Sequence, residues 1–596
     1  MYSITDGAGR NEAAYIRGSD PSPPRPMPRT LLPALLALAA LAAACAPARP
    51  PATGPVGAPA YDLVIENGRI VDGTGAAWFY GDLAIRGDRI AGIGPRGSFR
   101  DAGAAQRVDA TGQVVAPGFI DIQAHSLSHY LRGNGLALSM VMQGITTAIH
   151  GEGSSYGPVN DRILAAESDT AMRRILGGFA GPRGFGAWLD YMVARGASQN
   201  IGSFLGDGTL RRYVKGEEAG ALTPAERDTA RAMVGRAMRD GAFGIASALI
   251  YPPNTYASTE ELIDAARAMA PYGGVYITHM RSEGDTFLEA MDEALRIGRE
   301  GGVPVEIYHL KASGPRNWPK MPLAIAKIDS ARAAGQDVQA NMYLYPAGAN
   351  SFASCIPPKY AEGGRLLERL KDPTLRATMV AEMQAQDAGY ENLCEIAGPE
   401  GVMVVGFRKP EFQRFEGKRL SEIAAALGRS WPEAIIDLNV AESLGLGEIL
   451  FLMSEENMRL QLRQPWMKFG TDAGSQDPAT ARGSTHPRAY GNFPRIFRKY
   501  VREEGVLTLE DAVRKASSAV ATRLSLTDRG VLKVGLKADV IVFDPATIAD
   551  LATFEQPHQL SVGVRDMFVN GVAVVRGGTH TGAKPGQVVR GPGYRP

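Results

Sequence analysis

Five short apolar runs in this chain each stop at, or just before, a residue that can bind a metal ion or carry a proton, and this pattern restricts the fold more than any other feature. Val114 to Ile120 leads into Asp121 and His125, and Gly144 to His150 leads into Glu152. Gly274 to His279, Val303 to His309 and Met467 to Asp472 end on the named residue itself, and Asp337 to Tyr343 is a further run of the same kind. Runs of this length, rich in Val, Ile and Thr, read as buried strands. His279 and His309 lie 30 residues apart with a helical pattern, Phe287 to Arg299, between them. That is the size of one strand–helix–strand unit, and repeated units of this kind make a parallel sheet, open or closed. In a closed α/β barrel the carboxyl ends of all the strands meet at one face, where catalysis takes place. Two histidines there, one unit apart, can converge on one zinc ion, because neutral imidazole is a good zinc ligand. Taken alone, either histidine reads better as a hydrogen-bonded core residue than as a ligand; the ordered set carries the metal reading.

Three helix starts carry a capping box or a near variant: Thr223 to Glu226, Ser258 to Glu261 and Thr508 to Asp511. Two β-rich blocks bracket the alternating region. Tyr61 to Val71 reads as two strands around Asn67-Gly68, and Asp82 to Ile93 as a pair around Gly87-Asp88. Ala538 to Phe543 is an apolar strand, and Met567 to Val575 is a hairpin around Asn570-Gly571. The two blocks are expected to form one small sheet domain from both ends of the chain. The expected organisation is a leader and tether over 1–60, the first part of the β-domain over 61–116, a barrel over 117–530 and the second part of the β-domain over 531–596. An insertion is expected near 357–450, a stretch longer and more helical than one unit needs.

Leu31 to Ala44 is almost wholly apolar and 14 residues long, too short for a bilayer span of about 20 but suited to a secretory signal with Arg25 and Arg29 before it. Its end, Leu41-Ala42-Ala43-Ala44-Cys45, resembles a bacterial lipoprotein processing site, so an exported, periplasmic protein anchored through a lipid on Cys45 is expected. Plain cleavage after Ala44 is the alternative. A start at Met27 would place the free amino group and Arg29 directly before the apolar run. Residues 46–60 form an extended Pro/Gly/Ala tether. In an oxidising compartment Cys355 and Cys394 either pair or remain buried thiols.

Composition removes several function classes. Apolar residues at 45% and charged residues at 21% exclude wholesale disorder. Lys plus Arg at 64 against Asp plus Glu at 63 gives a net charge of +1 and no electrostatic case for a nucleic-acid partner. The sequence has no Walker-type phosphate loop. Its three cysteines make no disulfide framework.

From Tyr61 to about Gly577 the sequence resembles amidohydrolases of the D-aminoacylase (N-acyl-D-amino-acid deacylase) family. The resemblance is carried by Val115-Ala116-Pro117-Gly118-Phe119-Ile120-Asp121 and Gly144-Ile145-Thr146-Thr147, which much of the superfamily shares. It is carried more specifically by Thr278-His279-Met280-Arg281-Ser282-Glu283-Gly284, His309-Leu310-Lys311-Ala312 and His486-Pro487-Arg488-Ala489-Tyr490-Gly491. The resemblance implies a distorted (β/α)8 TIM-like barrel with a small β-domain, and one tightly held zinc with a second site weak or absent. It implies His279 and His309 as zinc ligands and Asp472 as the catalytic aspartate. Lys311, Tyr251 and one of Tyr343 or Tyr345 would surround the substrate, with Arg488 on its carboxylate. A guanidinium can pair with a carboxylate through two bonds, which favours Arg over Lys there.

Two departures stand out. The superfamily's His-x-His on the first strand is Gln123-Ala124-His125 here, and Gln is a poor zinc ligand. The family's cysteine ligand, in a Gly-Asn-Cys-Gly setting, aligns with Gly153 in Gly151-Glu152-Gly153-Ser154. Glu152, one residue earlier and longer in reach, is the expected third ligand, with His150 as the alternative. His125 would hold a second metal weakly or orient Asp472. The implied reaction is zinc-dependent hydrolysis of N-acyl-D-amino acids, and the preference for D over L rests on the resemblance alone. A dipeptidase, a cyclic-amide hydrolase and an inactive homologue acting as a binding protein are the alternatives.

Overall fold

Residues 60–386 and 389–596 are described by a computed structural model of the chain. Among them eight parallel strands form, six of them from the runs read in the sequence: β1 (Phe119–Asp121), β2 (Ile145–His150), β3 (Asn200–Ser203, continuing after Phe204 as Leu205–Gly206), β4 (Gly244–Ala248), β5 (Val275–His279), β6 (Val305–Ile307), β7 (Val338–Met342) and β8 (Met467–Phe469), with β3 and β4 the two that carry no such run. Each pairs in parallel with the next, from Phe119 opposite Ile145 to Met342 opposite Phe469. β8 returns to β1 through a parallel bridge between Ala473 and Ala124, where Asp472 N donates to Gln123 O at 2.8 Å. The barrel is therefore closed, with all carboxyl ends on one face. Strands covered on both sides need continuous apolar sequence, and every residue of β2 and β5 is buried.

Helices close the outside. Between β5 and β6, Phe287–Gly301 buries Phe287, Met291, Ala294 and Ile297, the spacing of one helical face. Thr223 caps Pro224–Asp240 through a reciprocal pair with Glu226, whose carboxylate accepts from Thr223 N at 2.8 Å.

Where strands meet the last barrel helix, charge is buried. Glu306 on β6 lies 3.0 Å from both Lys468 on β8 and Arg523, with all three side chains almost without exposure. Removing one partner of such a group leaves the others charged and desolvated. Glu306→Ala is therefore expected to cost about 3–5 kcal/mol, read as a lower urea midpoint at unchanged slope.

Both ends of the described chain enter one sheet of nine strands. The strand Val540–Phe543 pairs antiparallel with Val114–Pro117 on one side and Val564–Val569 on the other. One expectation changes here. Asn67-Gly68 does not turn a hairpin but makes a bulge within the single strand Tyr61–Ile70. Residues on both sides of it pair with the same neighbour, Phe79–Arg86. Asn67, at φ 62°, donates its backbone N–H to Asp82 Oδ1 at 2.8 Å, so the left-handed residue is used for a kink.

Between β7 and β8 the chain leaves the barrel to build a second core around Phe352, Met379, Ile435 and Leu450. Its three-stranded antiparallel sheet has the order Gly348–Ser351, Gly447–Leu450, Val402–Val405. Cys355 and Cys394 are joined in a disulfide inside it.

The lipid-anchored, periplasmic reading is corrected. The cysteines in the described residues bond to each other, and a disulfide sulfur has no thiol to acylate. No described helix is long and apolar enough to cross a membrane. Leu31 to Ala44 and Cys45 lie outside the described residues. Neither a lipid anchor nor a periplasmic address is assigned to the chain.

Candidate metal centre

Glu152 reaches the barrel mouth because a glycine stands on either side of it. Gly151 has φ 114° and Gly153 φ 60°. A Cβ on Gly151 would meet Phe204 O at 2.4 Å, and one on Gly153 would meet Ala248 Cβ at 2.8 Å. Only glycine allows that approach and those angles. The turn carries Glu152 Oε1 to 3.3 Å from His279 Nδ1 and 3.1 Å from His309 Nε2. His279 ends β5; His309 lies two residues past β6 at φ 32°, its N–H donating to Asn341 Oδ1 at 2.9 Å. Asp472, at φ 49°, is likewise left-handed. Such angles in non-glycine residues cost energy and tend to cluster at functional sites.

The far sides of both rings face Glu283. Its carboxylate lies 2.9 Å from His309 Nδ1 and 3.7 Å from His279 Nε2, and it accepts from Lys311 Nζ at 2.7 and 2.8 Å. Glu152 Oε2 turns the other way. It accepts from Gln123 Nε2 at 2.5 Å and lies 3.2 Å from His125 Nε2, which is 3.1 Å from Asp472 Oδ1. The second oxygen of Asp472 is 2.8 Å from Arg488 Nη1, and that guanidinium lies 4.4 Å over the Tyr343 ring.

A cavity of about 370 Å³ opens onto His125, Glu152, Tyr251, Asp472 and Arg488. A deeper recess adds His279, His309, Lys311 and Tyr343. All nine residues singled out from the sequence thus meet in one place. Of the two tyrosines left open, Tyr343 faces the recess, while Tyr345 donates to Asp550 at 3.1 Å. His150 is elsewhere, with Nδ1 3.2 Å from Gly202 O. Three participants were not anticipated as such. Glu283 stands within a quoted motif, four residues after His279; Asn350 comes from the insertion and has no local signal. Gln123, read from sequence as a lost ligand, instead orients Glu152.

Charge in the site is strongly coupled. Burial opposes ionisation of Glu152, but His309, His125 and His279 hold its carboxyl well below the usual range. Burial likewise opposes ionisation of Asp472, and Arg488 and His309 outweigh it. Withdrawal from water disfavours the charged form of His125, yet bonds to Asp472 and Glu152 raise it to about 10. Two imidazole nitrogens and a carboxylate oxygen, all within 4.8 Å of one another, form a donor set that suits zinc. His125, Glu152 and Asp472 form a second such group sharing Glu152.

Comparison with known proteins agrees with this fold. Residues 458–575 match the family model described as "Amidohydrolase family". D-aminoacylase of Alcaligenes xylosoxydans xylosoxydans is 34% identical over 530 residues, spanning 89% of this chain and 97% of that protein. N-acyl-D-glutamate deacylase of the same organism is 32% identical over 530 residues, spanning 89% and 96%. The crystal structure of N-acyl-D-glutamate deacylase from Bordetella bronchiseptica, complexed with zinc and a phosphonate inhibitor, matches with a TM-score of 0.72 at 30% identity, covering 89% of this chain and 99% of that one. With this agreement along nearly its whole described length, the chain belongs to the D-aminoacylase (N-acyl-D-amino-acid deacylase) family of amidohydrolases.

Proposed function

We propose that the protein is a zinc-dependent hydrolase of N-acyl-D-amino acids, releasing a carboxylate and a free D-amino acid. The observation that carries this reading is the meeting of Glu152, His279 and His309 with Asp472 at one barrel mouth. Glu152, His279 and His309 would hold the metal, with Glu283 fixing the rings from behind, as outer-shell carboxylates do. Zinc supplies Lewis acidity, lowering the pKa of water and polarising a carbonyl. Asp472 takes the proton of the attacking water and passes it to the departing amine. His125, between Asp472 and Glu152, orients both.

Substrate placement follows from the donors left over. Arg488 Nε and Tyr343 Oη are buried and have no hydrogen-bond partner among the described residues. Two unpaired donors at the recess suit a free carboxylate, which N-acyl amino acids carry and cyclic amides lack. Lys311 is neutralised by Glu283, so it contributes less. Tyr251, whose phenol burial pushes well above its ordinary value, remains a proton donor and faces the developing oxyanion.

The test is elemental analysis followed by release of amine from N-acetyl-D-methionine and its L-enantiomer. About one zinc per chain is expected, with release from the D-compound. Bound zinc without release from either enantiomer overturns the substrate class, and absence of zinc overturns the metal assignment.

A further inference from the structure

One buried acid lies outside the machinery described so far yet connects to it. Glu448, on the insertion strand Gly447–Leu450, is buried, and among the described residues no cation faces it. The segments packed around it are Gly348–Ser351, Phe352–Cys355, Leu393–Ala397 and Val402–Val405. Among them the single charged side chain is Glu395, which pairs with Arg316 at 2.5 Å. Burial pushes the Glu448 carboxyl up to about 8, so it is neutral at pH 7 and carries one hydrogen.

Where that hydrogen lies decides the direction of a chain of bonds. Glu448 Oε2 faces Cys355 Sγ and Cys394 Sγ at 3.0 and 3.2 Å, and disulfide sulfur is a poor acceptor. Oε1 lies 2.8 Å from Ser354 Oγ, a good acceptor. Ser354 Oγ is also 3.2 Å from Asn350 Oδ1, and Asn350 Nδ2 donates to Tyr251 Oη at 3.2 Å. A serine has one hydrogen and cannot donate to both Glu448 and Asn350. If neutral Glu448 donates to Ser354, then Ser354 donates to Asn350 and Asn350 to Tyr251. The phenolic hydrogen then has no acceptor in this chain of bonds and is directed into the cavity.

We infer that Glu448 is a positioning residue, the origin of a one-way donor chain through Ser354 and Asn350 that aims the Tyr251 hydroxyl at the substrate carbonyl oxygen. This rests on the oxyanion role proposed above for Tyr251. When Glu448 ionises, its carboxylate takes the Ser354 hydrogen, Asn350 Oδ1 loses its donor, and the amide is no longer held. The sign is therefore a loss of kcat as pH rises through about 8, with full alignment below it.

The experiment uses the zinc-loaded full chain with N-acetyl-D-methionine. In Glu448→Gln the amide N–H donates to Ser354 at every pH, so the fall of kcat above about pH 8 is expected to disappear. A folding defect would not extend the active range. Ser354→Ala should lower kcat about tenfold with little change in KM, because the donor acts in the transition state. A readout independent of turnover is infrared difference spectroscopy: wild type minus Glu448→Gln should show a protonated-carboxyl band that titrates near pH 8. Absence of that band overturns the proposal whether or not the protein is a deacylase. So does an alkaline fall that survives in Glu448→Gln. No turnover by wild type together with the band present would instead count against the function and the aim assigned to Tyr251, leaving the origin of the chain at Glu448 supported.

Discussion

Asp472→Asn should lower kcat by about 10²–10⁴ while zinc stays bound. Asparagine keeps the size of the side chain and an oxygen for Arg488 or His125, so the site need not collapse. What it loses is the ability to accept a proton from water and return it to the leaving amine. The backbone supports the choice of this variant, since Asn tolerates the left-handed φ of 49° that Asp472 adopts. Zinc content and kcat are measured on the same preparation. Unchanged zinc with a large loss of kcat supports the proton-transfer role; retention of kcat within tenfold would remove Asp472 from that role.

Glu152→Ala is expected to have the second large effect, on metal retention. Loss of an outer-shell partner costs about 10–100-fold in metal affinity, and loss of a ligand should cost more. Glu152 also gathers His125 and Gln123 through its second oxygen, so the change disconnects the two candidate ligand groups from each other. Gln123→Ala provides the graded comparison, since it leaves the carboxylate in place and removes one of its donors. Competition with a calibrated chelator should rank wild type tightest, Gln123→Ala next and Glu152→Ala weakest. Equal affinities for wild type and Glu152→Ala would exclude Glu152 as a ligand.

Six of the eight barrel strands are legible because burial on both sides forces continuous apolar runs that need no knowledge of partners; Asn200–Ser203 and Gly244–Ala248, with one β-branched residue each, leave no such run. His279 and Asp472 could be located for the same reason, each sitting at or just beyond a strand end. Other features depend on residues far away in the chain. Asn67-Gly68 has the local chemistry of a hairpin turn, and only the common partner strand on both sides makes it a bulge. Gln123 looked like a missing ligand because its bond to Glu152 spans 29 positions. Asn350 has no motif at all; its meaning comes from the insertion folding back over the barrel mouth. The fate of Cys355 and Cys394 was open for the same reason, since 39 residues separate them.

The sheet shared by both ends has a consequence for the order of events during synthesis. Val540–Phe543 is the strand between Val114–Pro117 and Val564–Val569, so the amino-terminal strands emerge from the ribosome more than 400 residues before their neighbour exists. Until then Val114–Pro117 presents an open edge able to recruit strands of other nascent chains. Losing the last sixty or so residues would leave that edge open permanently, and such fragments should aggregate even with every metal-site residue present.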